Sequence, residues 1–165
     1  MAATETITTA GRILKAQWVG GDAVQGMTWI AIGDGTWADK ANPPAVSLAA
    51  TGLTHEVARK RVERTAWMEL DNLLGTVFWK GNLYKEVAGP TTIRALFATF
   101  SPEQANGVQI CEEGVFGGVI TTTAFPYALA AEVTAVGTLY WVRNRPVYTK
   151  QLGDTFTAVA IFEEK

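Results

Sequence analysis

Asn106-Gly107-Val108-Gln109-Ile110-Cys111-Glu112-Glu113-Gly114-Val115-Phe116 begins as a turn and continues as a strand. Asn-Gly supplies the positive-φ backbone of a tight turn, and side chains beyond it alternate between two faces. That alternation puts Ile110, Glu112, Gly114 and Phe116 on one face, and Cys111, Glu113 and Val115 on the other. A Glu between Ile and Phe needs a partner, and Arg59 is a reasonable one, at an interface or in the core; a surface Glu on an edge strand is the other reading. Outward toward the C-terminus, residues 119–125, 138–143 and 155–162 read as further strands. Gly117-Gly118, Asn144-Arg145-Pro146 and Gly153-Asp154 read as the turns between them. Toward the N-terminus, residues 91–100 are β-branched and aromatic and end at Ser101-Pro102. Residues 76–79 and 83–87 flank Lys80-Gly81-Asn82 as a hairpin. Many short strands with Gly-rich turns imply a mainly β (α+β) fold, an antiparallel β-sandwich or open barrel.

One segment at the start is helical. Thr8 and Thr9 can cap a helix over residues 10–19 that Gly20-Gly21 ends. Positions 10, 13, 14 and 18 share a face, so this short amphipathic helix should lie on the sheet. Residues 27–32 form a strand stopped by Gly33-Asp34-Gly35, and Asn42-Pro43-Pro44 fixes the loop over 38–44. Residues 53–70 fit a helical stripe and a half-exposed strand equally well. No internal repeat or linker interrupts the chain. Residues 1–165 are therefore expected to form a single domain, with a short flexible arm over about 1–6.

The composition speaks to assembly. Apolar residues make up 48% of the chain and charged ones only 18%, which leaves the surface short of solvating groups. Six Trp do not fit comfortably into one small core, because each is large and its indole N–H needs a partner. Surface of that kind is buried against neighbours in an oligomer. A net charge of −2 gives no pull toward nucleic acid or anionic membrane. A single Cys and a single His exclude a disulfide scaffold and a Cys/His zinc site. The start lacks the basic and apolar parts of a signal peptide, and the apolar tracts fall short of a membrane span, so the expectation is synthesis in the cytoplasm.

The candidate chemistries fail one by one. Residues 33–38 match the dinucleotide pattern G-x-G-x-x-A, but Pro43 and Pro44 prevent the helix that would meet a pyrophosphate. Asp34, Asp39 and Asp22 lack the alternation and closing Glu of a calcium loop. Cys111 stands beside two glutamates that would raise its pKa, and neither Ser47 nor Ser101 sits in a nucleophile elbow. Glu112, Glu113, Glu132 and Asp154 could supply a carboxylate pair, with a separation the sequence does not set. The basic cluster over 55–64 reads as a solvated face or an interface stripe. No enzyme, cofactor or metal is expected.

Several segments in order resemble the bacteriophage tail-collar fibre family, the virion-attaching N-terminal domain of many tail fibres. They are Ile7-Thr8-Thr9-Ala10-Gly11, Trp29-Ile30-Ala31-Ile32-Gly33-Asp34-Gly35, Leu53-Thr54-His55-Glu56-Val57-Ala58-Arg59, the opening stretch over 106–116, Gly137-Thr138-Leu139-Tyr140 and Arg145-Pro146-Val147-Tyr148. Departures are Cys111 where the family has arginine, an insertion over 73–87 and extra length over 124–136. A fibre would continue past Lys165 into a shaft, so the resemblance implies the attaching part as a stand-alone chain. The implied role is a non-enzymatic structural subunit of the tail, in a collar, baseplate or fibre adaptor. It would assemble with itself as a symmetric ring, a trimer or hexamer, and hold neighbouring tail proteins in the virion. Trp18, Trp37, Arg59, Arg61, Trp79, Glu112 and Tyr148 are the expected interface residues. The alternative is a carbohydrate-binding β-sandwich with exposed Trp, above all Trp37, as stacking platforms.

Overall fold

The structure, a computed structural model, describes residues 4–22 and 26–163. In chain order these residues form β1 (Thr4–Ile7), α1 (Thr9–Val19), β2 (Trp29–Gly33), β3 (Glu56–Arg61), β4 (Arg64–Leu70), β5 (Val77–Trp79) and β6 (Asn82–Val87). There follow β7 (Ile93–Phe100), β8 (Gln109–Thr122), β9 (Tyr127–Leu129), β10 (Val133–Thr149) and β11 (Phe156–Glu163). Two antiparallel sheets result, one of six strands ordered β1-β10-β8-β2-β3-β9 and one of five ordered β11-β7-β4-β6-β5. The mainly β antiparallel architecture with one short helix is the one expected, and a nearly closed sheet gives it both sandwich and barrel character.

The ambiguous stretch over 53–70 becomes two strands. Val62 N–H donates to the carbonyl of Thr28, just before β2 of the six-stranded sheet, while Glu63 N–H donates to Phe97 of the five-stranded one. The chain changes sheets between these neighbours, and pairing with β2 and β7 overrides the helical stripe. The predicted hairpin forms as read: Lys80 and Gly81 take φ of 50° and 82° and join β5 to β6.

Two predicted turns do not form. β8 runs through Gly117-Gly118, and β10 runs through Asn144-Arg145-Pro146. The β8–β10 ladder absorbs the extra residues as irregularities, including one between Asn144 and Tyr148 where Pro146 sits. Proline donates no ladder hydrogen bond, so a bulge is where a strand tolerates it. Gly118 and Gly137 take φ of 73° and 71° in the same ladder, a conformation that serves a bulge as well as a turn. The arm expected over about 1–6 is shortened, because β1 pairs with β10 from Thr4 opposite Asn144 to Ile7 opposite Trp141. Residues 1–3 of that expected arm lie outside the described residues.

The main core lies between the sheets and includes Ile30, Ile32, Met68, Phe97, Phe100, Val115 and Trp141. Each such side chain contributes about 1.5–3 kcal/mol by leaving water. A second cluster of Trp29, Ala31, Phe116, Leu139 and Val142 lies on the outer face of the six-stranded sheet, under Val46, Ala50 and Leu53. β2 is thus covered on both sides, and all five of its residues are buried. Glu112, Gly114 and Phe116 share a face as the alternation predicts, with Gly114 lying against Leu53 and Leu139. Ile110 departs from the alternation and joins Val115 in the main core, where the β10 irregularity distorts the ladder.

Thr8 caps α1, its hydroxyl accepting from Gly11 N–H at 2.9 Å and donating to the Leu139 carbonyl. The helix seats on β10 through Gly11 and Leu14 rather than along the predicted stripe, leaving Ile13 58% and Trp18 49% exposed. Gly11 is the reason: a methyl there would overlap the Tyr140 backbone, so the glycine brings helix and strand together and turns the rest of the stripe outward.

Candidate interaction surface

The polar residues that invited chemical readings are occupied in holding the fold. Glu112 is buried, and its carboxylate accepts Thr54 N–H at 2.8 Å and His55 N–H at 3.0 Å. Cys111 Sγ donates to the Asp34 carbonyl at 2.7 Å, His55 Nδ1 lies 2.5 Å from Asp34 Oδ1, and Lys40 Nζ donates to the Asp34 and Gly35 carbonyls. Together these contacts pin the long loop after β2 onto β8. Burial pushes the Cys111 thiol up to about 11, so it is no nucleophile near neutral pH. Asp39 closes its own turn on Ala41 N–H and Asn42, and the Asn42 side chain and these amides hold its carboxyl below the usual range. Among the described residues no three His, Cys, Asp or Glu side chains are placed to hold a metal.

The expected Arg59–Glu112 pair is not formed. Arg59 is buried, pairs with Glu56 through Nε and Nη2 at 2.7 Å each, donates to the Val136 carbonyl and lies 4.3 Å from the Phe116 ring centre. The neighbouring Glu113, on the opposite face of β8, meets Arg145 at 2.7 Å and Arg143 at 3.6 Å instead. Glu132 accepts Leu129 N–H, and Asp154 accepts Gln151 N–H and faces the Tyr148 hydroxyl. Each of the four carboxylates that could have supplied a pair therefore has a local structural task.

Of the predicted interface residues, Trp18 and Arg61 are exposed, with Arg61 5.9 Å from the Phe125 ring. Tyr148 is half-buried and stacks on Phe156 at 5.2 Å. Arg59, Trp79 and Glu112 are consumed inside the chain, and Trp79 packs on Trp141 at 5.5 Å. Trp37 is half-buried against Gly35 and under Lys40 at 5.3 Å, and its indole N–H is enclosed.

Several large apolar side chains remain exposed. Leu70, Leu73, Leu74 and Phe78 cluster around the β4–β5 connection, and Ile13, Trp18 and Val19 project from α1. At the end of α1, between Tyr140 of β10 and the inner face of β4, β7 and β11, opens a groove of about 610 Å³, lined by Met27, Trp67, Leu96 and Phe162 with Arg94 beside them. Sequence reading missed both the leucine cluster and the groove. A Leu-Leu pair between Asp71 and Gly75, neither continuing a strand, was the available signal for the first.

A β-sandwich whose chemistry-bearing side chains are tied into its own loops and which leaves several large apolar side chains exposed is built as proteins that pack against others are. The chain belongs to the family described as baseplate wedge 3 tail fiber network component, whose family model matches residues 3–162. It is thus a phage tail protein of a structural baseplate family, part of the virion. The match does not extend to the tail-collar fibre family that the sequence resembles. A search of curated proteins returned no match.

Proposed function

We propose that this chain is a non-enzymatic structural subunit of the phage tail, its residues 1–165 acting as one domain that joins the baseplate to a network of tail fibres. It does so by assembling into a symmetric ring, as a trimer or hexamer, and attaching neighbouring tail proteins after synthesis in the host cytoplasm. The family match over nearly the whole chain carries this reading. The resemblance to tail-collar fibre domains fits it, since those domains are the virion-attaching part of a fibre. Outward apolar residues such as Leu73 and Trp18 supply the kind of surface that neighbours would cover. Quantitative mass spectrometry of purified particles tests it. The expected result is a copy number that is a multiple of three or six relative to a known tail component. Absence of the chain from the particle overturns the reading.

A further inference from the structure

The connection between β4 and β5 is a knob closed by its own hydrogen bonds. Asp71 Oδ1 accepts Leu73 N–H at 3.0 Å and Leu74 N–H at 2.9 Å, and the Asp71 carbonyl accepts Gly75 N–H at 2.8 Å. Asn72 Oδ1 accepts Leu83 N–H at 2.8 Å, tying the knob to β6. The Leu74 amide, then Lys85 at 3.0 Å, hold the Asp71 carboxyl below its ordinary range, so the cap is charged near neutral pH. This single capped turn points its apolar residues away from the protein: Leu73 is 91% exposed and Leu74 74%. Preorganisation of this kind lowers the entropy lost on docking.

The groove beneath α1 is its complement. It is apolar along Met27, Trp67, Leu96 and Phe162, and about 610 Å³ is ample for two leucine side chains. Charge agrees with shape. The knob carries Glu69 and Asp71 against the single Lys85, a net −1. At the groove, Arg94 lies 4.2 Å from the Trp67 ring and donates to the Thr65 hydroxyl, with no carboxylate partner among the described residues. We propose that the Leu73-Leu74 knob of one copy docks in the groove of a second copy. Knob and groove are different surfaces, so the contact is head-to-tail and closes into a ring when the rotation between copies permits. The inference rests on the proposed role as an assembling tail subunit and names the surface that assembles.

Analytical ultracentrifugation of the purified chain, with L73D/L74D and the groove-filling T92W as variants, tests it. Both sites are solvent-exposed, so circular dichroism should match wild type. Wild type is expected to self-associate, each variant to be weakened by about thirtyfold or more, and an equimolar mixture of the variants to regain pairs but no larger species. Variants that assemble like wild type would overturn the knob-and-groove contact, while the copy number in particles would still stand for the tail role. A monomeric wild type overturns the second copy as occupant, and loss of L73D/L74D chains from particles would then identify another tail protein in its place. Absence of the wild-type chain from particles strikes the tail role itself.

Discussion

Two loops of this protein are pinned in the same way and face opposite directions. The long loop after β2 is held by Glu112, which accepts the amides of Thr54 and His55, and the β4–β5 loop is held by Asp71, which accepts those of Leu73 and Leu74. The first lays Val46, Ala50 and Leu53 on Trp29 and Phe116, whereas the second lifts Leu73 and Leu74 into solvent. Glu112 reaches its loop from another element and draws it down onto the sheet. Asp71 belongs to its own loop and closes it without drawing it onto anything. Carboxylate capping therefore fixes shape in both, and the origin of the carboxylate decides whether the apolar residues stabilise the fold or remain for a neighbour.

The comparison breaks most visibly at Glu112. Replacing it with Ala leaves two amides without their acceptor and frees the loop that covers the outer cluster, so urea unfolding should show a loss of about 2–4 kcal/mol. Glu112→Gln, which keeps an acceptor, should recover part of that loss. Equal stability of Glu112→Ala and wild type would mean that the loop does not hold the outer cluster in place.

Cys111 secures the same loop and titrates. Its folded pKa of about 11 lies above the ordinary 9.0, because burial disfavours the thiolate. A raised pKa means that this group's contribution is fully present below about pH 9 and is lost as the pH rises through about 11. The stability difference between wild type and Cys111→Ala should therefore shift against wild type across that window, and native protein should react slowly with a thiol reagent at pH 8. A pH-independent difference would show that the thiol proton is not coupled to the loop.

Asp71 gives a smaller and purely local effect. Its carboxyl lies below the ordinary range, chiefly through the Leu74 amide, so its contribution is present above the usual carboxylate pKa and fades as the pH falls through the folded value. Asp71→Ala should raise amide exchange at Leu73, Leu74 and Gly75 severalfold at neutral pH while leaving β8 and β10 protected. Faster exchange in the β8–β10 ladder would contradict the independence of the two loops.

Legibility in the sequence follows the range over which each feature is decided. The Thr8 cap, the Gly20 stop and the Lys80-Gly81 hairpin were readable because residues within one turn decide them. Gly117-Gly118 and Asn144-Arg145-Pro146 were misread as turns, since a positive φ or a proline suits a bulge equally and only the facing strand settles which. The partner of Arg59 was missed for a related reason. Alternation assigned Glu112 and Glu113 to opposite faces, but the layer covering each face, and hence the charges waiting there, came from residues far along the chain. The helix face turned on Gly11, whose lack of a side chain carries no signal in a hydrophobic pattern. The leucine knob was present as Asp71-Asn72-Leu73-Leu74-Gly75, yet its leucines entered the reading only as the start of an insertion over 73–87.

The smallest expected effect separates the loops most sharply. Leu73→Ser/Leu74→Ser removes two large apolar side chains, a change that inside the core would cost several kcal/mol. Here both are in water already, at 91% and 74% exposure, so folding transfers little of their surface and unfolding should change by no more than about 0.5 kcal/mol. Leu53→Ala, in the Glu112-pinned loop, should be clearly more destabilising, because Leu53 packs on Gly114 and the outer cluster. Chemical denaturation of the two variants side by side makes the test. If the double serine variant unfolds as readily as Leu53→Ala, the knob leucines are supporting the subunit and cannot be held in reserve for a neighbour.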